Sequence, residues 1–260
     1  MAVDALNDHP NKLIRLLGPR YSKVMFTKAV NVADVRLARS LRDKVLIEER
    51  YDISVEYVPD GVSKSFINHN YAGDSFKHTY NINSDYMVYI GRLHPLKGID
   101  IMIRAMSIII DKSDIKVVII GPGDQKPYKE LARKISVDSR VIFLGFINEE
   151  DKIGAIDGSI SVVLPSISNY VEVYPMILSE AWARAKPVIA TTVGGIPYRV
   201  KHMINGLLIP PKNPKALAEA MIILDQDRSL GKKLGIEGRN SIFTWDDIID
   251  KLLKLYSYSK

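Results

Sequence analysis

The 260-residue chain is 47% apolar and 25% charged, the composition of an ordinary soluble globular protein with enough residues for a full core. It has no cysteine, which excludes disulfides and thiolate metal sites and makes a reducing, cytoplasmic setting the easier expectation. A net charge of +6 suits anionic partners such as nucleotide phosphates, nucleic acid or the headgroups of a lipid acceptor, and equally suits plain solubility.

The opening segment MAVDALNDHPNK lacks an apolar signal core, so no secretory leader is expected there. KVMFT (Lys23–Thr27) reads as a strand, Ala33 to Arg50 as an amphipathic helix and SVEYV (Ser54–Val58) as a second strand running into PDGV, together one βαβ piece. Residues 66–84 are polar without a clear period and read as a connector or flexible hairpin. From Tyr86 onward, β-branched runs alternate with segments of helical period, the pattern of βαβ units around a parallel sheet. The runs are YMVYI, KVVII, RVIFLG, ISVVLPS and PVIATT; the helices fall over Ile99 to Asp111, Pro127 to Ser136, Glu149 to Ile156 and Pro175 to Ala185. Ile99 to Ile110 is broken by Asp100 and Arg104, so no run reaches the roughly 18 apolar residues of a membrane span. Asn213 and Pro214 then open a helix over NPKALAEAMIILDQDR, and a last helix follows TWDD. The expected fold class is α/β, a Rossmann-like doubly wound parallel sheet with a truncated N-terminal βα remnant.

Ligands of such sheets bind outside the carboxyl ends of the strands. The loops there read GRLHPLKG, GPGD, GFINEE, PSISNYVEVYP and TTVGGIP, dense in glycine and proline with a few charges. In the first, Gly91 and Gly98 frame Arg92 and Lys97, an arginine fork and a point charge suited to a diphosphate and to charge building on a departing nucleotide; an exposed charged turn is the alternative. GPGD supplies Gly121 and Gly123 but lacks the third glycine of a dinucleotide fingerprint, so a plain strand-to-helix turn competes with close approach to a ligand. Glu172 and Glu180 flank Pro175, which favours a first helical turn. Glu172 then stands in the loop and Glu180 about one and a half turns inside the helix, placed for sugar and ribose hydroxyls respectively, or else as a loop charge and a solvated helix residue. Gly194 and Gly195 give a turn whose amides can face an anion, or a plain turn. His94, His202 and the other histidines lack metal-ligand spacing and read as surface or packing residues. No basic run interleaved with aromatics points to nucleic acid, and an oxidoreductase would want GxGxxG after its first strand.

Taken in order, PDGV, GRLHPLKG, GPGD, VIFLGFI, VVLPS, the Glu172 and Glu180 pair, AKPVIATTVGGIP and NGLLIPPKNPKALAEA resemble the C-terminal, donor-binding half of the retaining group 1 glycosyltransferases of GT-B fold. That family includes bacterial mannosyl- and glucosyltransferases, sucrose synthases and glycogen synthases, and the resemblance runs from about Ser22 to Tyr256. It implies hexose transfer from a nucleoside-diphosphate sugar with retention of configuration, with no metal or other cofactor. It implies that Arg92 and Lys97 hold the diphosphate, Glu172 contacts the donor sugar, Glu180 binds the ribose, and backbone at Gly145, Phe146 and Ile147 meets the base. Amides after Glu172, at Val173 and Tyr174, would meet sugar and phosphate. The leaving diphosphate would help deprotonate the acceptor, so no protein nucleophile is assigned.

The chain departs from the family pattern at Val173, Tyr174 and Pro175, where Phe-Gly is usual; at Tyr198, where the Gly-Gly-x-Pro motif continues into an acid; and at Asp60, where asparagine is usual. Residues 1–56 resemble only the last strand and helix of the N-terminal acceptor domain, residues 57–242 the donor domain, and 243–260 a helix that crosses back to the N-terminal part. Two functions remain open: a transferase whose acceptor site is completed by a partner chain or a peripheral membrane contact, the acceptor being a glycan, lipid or protein, and a nucleotide-sugar-binding module without turnover.

Overall fold

The computed structural model describes residues 11–257, apart from the side chains of residues 19–23. The opening segment up to Pro10 lies outside them. In chain order the elements are α1 (Lys12–Asn31), β1 (Leu37–Ala38), α2 (Leu41–Tyr51), β2 (Glu56–Tyr57), α3 (Lys64–Asn68), α4 (Gly73–Thr79), β3 (Tyr86–Ile90), α5 (Ile99–Ile109), β4 (Lys116–Ile120), α6 (Lys126–Lys134) and β5 (Val141–Gly145). There follow α7 (Glu149–Gly158), β6 (Val162–Leu164), α8 (Met176–Ala183), β7 (Val188–Thr191), β8 (Leu207–Ile209), α9 (Pro214–Gln226), α10 (Arg228–Arg239) and α11 (Trp245–Ser257).

Strands β3 to β8 form the doubly wound sheet, all parallel, in the order β5-β4-β3-β6-β7-β8. Alternation along each strand divides the core. Met87, Tyr89, Val117 and Ile119 face the layer of α5, α6 and α9, while Tyr86, Val88, Val118 and Ile120 face α7 and α8. The strand order reverses between β3 and β6, so a crevice opens at their carboxyl ends. Helix α9 starts as its sequence dictates: Asn213 accepts a hydrogen bond from the Ala216 N–H at 3.0 Å, and Pro214 occupies the first turn. Asn213→Ala is expected to cost about 1 kcal/mol, read as a lower urea midpoint with unchanged slope.

Three expectations are corrected. Lys23–Thr27 is helical, inside α1; the strand of the small βαβ unit is Leu37–Ala38, paired with Glu56–Tyr57. A run of three apolar residues does not distinguish the two periods, and here Phe26 packs on the Tyr51 ring of α2 at 4.8 Å. The helix expected from Ala33 begins at Leu41, because the Ser40 side chain caps it through the Asp43 N–H.

The expected connector over 66–84 instead holds α3 and α4, with Phe66 and Phe76 buried. Helix α4 crosses α7 so closely that a Cβ on Gly154 would lie 2.8 Å from Phe76 Cβ, and one on Gly73 would lie 2.7 Å from the Gly158 nitrogen. Helix α11 is tied to β2 and the segment that follows it: Val62 bridges Thr244, and Lys251 Nζ donates to the Tyr57 carbonyl at 2.6 Å.

Candidate active site

The crevice at the switch point is built from two loops pressed together. Gly98, at φ +70°, follows a 3-10 turn over Pro95–Lys97, and a Cβ there would lie 1.9 Å from the Pro165 carbonyl oxygen. The loop after β3 can therefore lie on the loop after β6 only with glycine at that position. The contact brings Lys97 Nζ to 2.6 Å from Glu172 Oε1. Glu172 is only 2% exposed, and its same oxygen accepts a short hydrogen bond from the buried Ser166 hydroxyl. A carboxylate so buried needs such partners, and it has a cation and a hydroxyl. Ser166 belongs to the VVLPS motif; its part in holding Glu172 was not evident from spacing.

Arg92, with an exposed side chain, lines a hollow of about 460 Å³ together with His94, Lys97, Tyr170 and Val171. Two cations thus face one open space. Tyr89 supports this loop from below, donating its hydroxyl to the Arg92 carbonyl at 2.8 Å. Burial, aided by the Glu172 carboxylate, holds that phenol above its ordinary range, so it stays a neutral donor. His94 caps the turn through the Leu96 N–H, and His202 accepts from the Leu208 N–H.

The other loops are packed onto this frame. Gly121 sits at φ +136° and a Cβ there would meet the Gly91 oxygen at 2.0 Å; Gly123 similarly abuts Leu93. The GPGD turn therefore braces the Gly91 loop. Gly145, at φ +72°, turns the chain out of β5 into Phe146, which is 82% exposed and offers a free aromatic face, and into the half-buried Ile147.

Of the two readings of Gly194 and Gly195, amides facing an anion or a plain turn, the hydrogen bonds fit the turn. The Gly194 N–H donates to Asn169 Oδ1 at 3.0 Å and the Gly195 N–H to the Glu172 carbonyl at 2.6 Å. These glycines let backbones meet, since a Cβ on Gly194 would lie 2.2 Å from the Glu172 oxygen and one on Gly195 2.0 Å from that of Val173. They hold the Glu172 loop in place.

The side chain of Tyr174 points away from the crevice. It is buried, its hydroxyl reaches the Asp60 carbonyl at 3.3 Å, and its ring lies 3.8 Å from the Arg199 guanidinium. Arg199 in turn donates to the Pro175 carbonyl at 2.8 Å and to Ser179, so the residue after the divergent Tyr198 anchors the start of α8. Burial lowers the pKa of Arg199, opposed by the neighbouring Tyr174 and Tyr57.

Glu180 lies within α8, as Pro175 at its N-cap foretells, and is half-buried. It pairs at 3.0 Å with Lys152 of α7, a partner that spacing did not reveal because it comes from a different crossover. No group of three or more histidine, aspartate or glutamate residues able to hold a metal occurs among the described residues.

A sheet of this order with a cationic crevice at its switch point defines a doubly wound α/β protein with a cationic face at the carboxyl ends of its strands. The chain belongs to the group 1 glycosyl transferases, whose family model matches residues 72–241. It is similar to the uncharacterized glycosyltransferase MJ1607 of Methanocaldococcus jannaschii, 27% identical over 232 residues covering 85% of this chain and 59% of that one. It is also similar to the D-inositol 3-phosphate glycosyltransferase of Corynebacterium glutamicum, 27% identical over 187 residues covering 68% and 44%. The chain thus spans some three fifths or less of the length of these relatives.

Among solved structures it matches sucrose-phosphate synthase from Thermosynechococcus elongatus, with a TM-score of 0.80, 22% identity, and coverage of 99% of this chain and 66% of that one. It matches Anabaena Alr3699/HepE, solved in complex with UDP, with a TM-score of 0.80, 19% identity, and coverage of 91% and 67%. These likenesses identify the fold as that of GT-B glycosyltransferases.

Proposed function

We propose that this chain is the donor-binding half of a glycosyltransferase that moves a hexose from a nucleoside-diphosphate sugar to an acceptor with retention of configuration. The observation that carries the reading is that Lys97, which lines the hollow with Arg92, meets the buried Glu172 at 2.6 Å. Arg92 and Lys97 hold the diphosphate, and Lys97 stabilises the charge that collects on it as the glycosidic bond breaks. Glu172, fixed by Lys97 and Ser166, accepts hydrogen bonds from the donor sugar. Glu180 receives the ribose hydroxyls once Lys152 yields, and the exposed Phe146 beside Gly145 and Ile147 takes the base. Backbone at Val173 and Tyr174 contacts sugar and phosphate, and the departing diphosphate takes the acceptor proton. No metal is required on this reading, since cationic side chains supply the charge.

The HepE chain was also solved with UDP-glucose, which makes UDP and UDP-glucose the first donors to try. The acceptor site falls to sequence beyond residues 57–242, to a partner chain, or to a membrane surface at which a cytoplasmic protein works. No described helix is long and apolar enough to cross a membrane. A nucleotide-sugar-binding module without turnover is the second reading, favoured by the burial of Glu172, which is 2% exposed and already engaged by Lys97 and Ser166.

Calorimetry with UDP, GDP and ADP tests the donor site, and no binding of any of them sinks both readings. Radiolabelled sugar transfer or donor hydrolysis then separates them, tight binding without turnover favouring the module. Glu180→Ala is expected to weaken nucleoside diphosphate binding about tenfold to a hundredfold, the effect of losing hydrogen bonds to a charged acceptor. Unchanged affinity would remove the ribose role.

A further inference from the structure

A second hollow, of about 560 Å³, opens at the opposite end of the sheet, where Ser159 and Ile160 lead into β6 and Lys186 and Pro187 lead into β7. Its volume falls within the range of small-molecule sites. The lengths of β6 and β7, roughly 10–13 Å at the usual rise per residue, separate it from the crevice. Its walls carry Arg184, Lys186, Arg228, Lys232 and Arg239 against a single acid, Asp157.

That acid is already neutralised. Arg184 donates to both of its oxygens at 2.8 Å, and Arg228 pairs with Asp85 and Asp225. Lys186 reaches inward to the Ser159 carbonyl at 2.9 Å, and neither it nor Lys232 or Arg239 forms an ion pair among the described residues. Arg228, Lys232, Ile236 and Arg239 recur at helical spacing along α10, so one face of that helix is turned to the hollow. Burial lowers the pKa of Lys186; the Asp157 carboxylate opposes this, while Lys77, Arg184 and Arg228 add to it. A half-buried ammonium among other cations, with a carbonyl as its hydrogen-bond partner, is stabilised by an incoming anion. Pro187, Leu224 and Ile236 supply an apolar wall beside it.

We propose that this hollow is a second ligand site, which takes the phosphate group of a phosphorylated small molecule between Lys186, Lys232 and Arg239. Its uncharged part rests on Pro187, Leu224 and Ile236. The site stands apart from the donor crevice, and the proposal does not rest on the donor reading.

Inorganic pyrophosphate is titrated calorimetrically, with no nucleotide present, into the full chain and into Lys97→Ala, which lacks a cation of the crevice. One pyrophosphate is expected to bind in both, with affinity lowered at least tenfold in the Lys232→Glu/Arg239→Glu double variant and in Lys186→Met. The double variant alters exposed side chains, so it keeps the test sound if Lys186→Met folds poorly. No binding up to about 10 mM, binding removed by Lys97→Ala, or indifference to the double variant overturns the proposal. Sedimentation with phosphatidylcholine vesicles containing phosphatidic acid identifies the source of the phosphate. Vesicle binding that pyrophosphate competes away and the double variant lacks makes it a lipid headgroup; vesicle binding indifferent to both leaves the free molecule as ligand.

Discussion

Lys97→Ala is expected to lower sugar transfer or donor hydrolysis roughly 10²- to 10³-fold, the usual effect of removing one preorganised group from a developing negative charge. The substitution has two consequences that must be separated. On the proposed function it removes a cation from the diphosphate, and it leaves the Glu172 carboxylate, 2% exposed, with Ser166 as its remaining side-chain partner. The second costs about 1–3 kcal/mol of stability, the penalty for a buried polar group short of a partner.

Adding Glu172→Gln, which is neutral and of the same shape, should restore most of that stability and none of the rate. Recovery of turnover in the double variant would show that Lys97 only keeps Glu172 in place. Lys97→Arg is not a conservative control, because the guanidinium fork does not fit where an ammonium sits 2.6 Å from one carboxylate oxygen. If the chain binds donors without turning them over, the same variants are read by UDP affinity, which should fall for Lys97→Ala and remain for Glu172→Gln.

That Lys97 and Glu172 stand in loops at strand carboxyl ends was legible in the sequence for a physical reason. Strands buried on both faces are continuous apolar runs, as Tyr86–Tyr89 and Val117–Ile120 are, and the loops that leave them need glycine wherever two backbones touch. The same rule marks the glycines of the GPGD and TTVGG turns but leaves their use open between ligand contact and a plain turn. Gly194 and Gly195 make room for the Glu172 loop, and a pattern cannot tell an amide facing a ligand from an amide facing its own chain.

Other elements left a fainter trace. β8 is three residues long, and α10 carries Gly231, Gly235 and Gly238, which lower helix propensity. The structure shows why they are there: a Cβ on Gly235 would lie 2.0 Å from the Ala185 oxygen, and one on Gly238 2.0 Å from the Trp182 ring. Pairings between crossovers, such as Lys152 with Glu180, depend on how α7 and α8 are set side by side, which only the assembled sheet decides.

Arg184→Met is expected to destabilise the protein by about 3–5 kcal/mol, the range for breaking a buried ion pair by removing one partner. The side chains of Arg184 and Asp157 are 8% and 3% exposed, and the pair is bidentate at 2.8 Å. Arg184 also donates to the carbonyls of Phe66, Ile67 and His69 at 3.0, 3.1 and 2.9 Å, and Asp157 accepts from the Ala72 N–H at 3.1 Å. The pair therefore supplies hydrogen bonds that the end of α3 and the start of α4 do not find within themselves. This accounts for order in a stretch whose sequence reads as a connector: its backbone is satisfied by a side chain more than a hundred residues away.

Amide exchange should accordingly show the largest loss of protection over 66–80, with the strands of the large sheet changing only as far as global stability falls. The Arg184→Met/Asp157→Leu double variant should be less damaging than the sum of the two single changes, because it removes the uncompensated buried charge while leaving the three carbonyls unmet. If the single variant melts within about 1 kcal/mol of the parent, the pair does not hold α3 and α4, and their order must come from the packing of Phe66 and Phe76 alone.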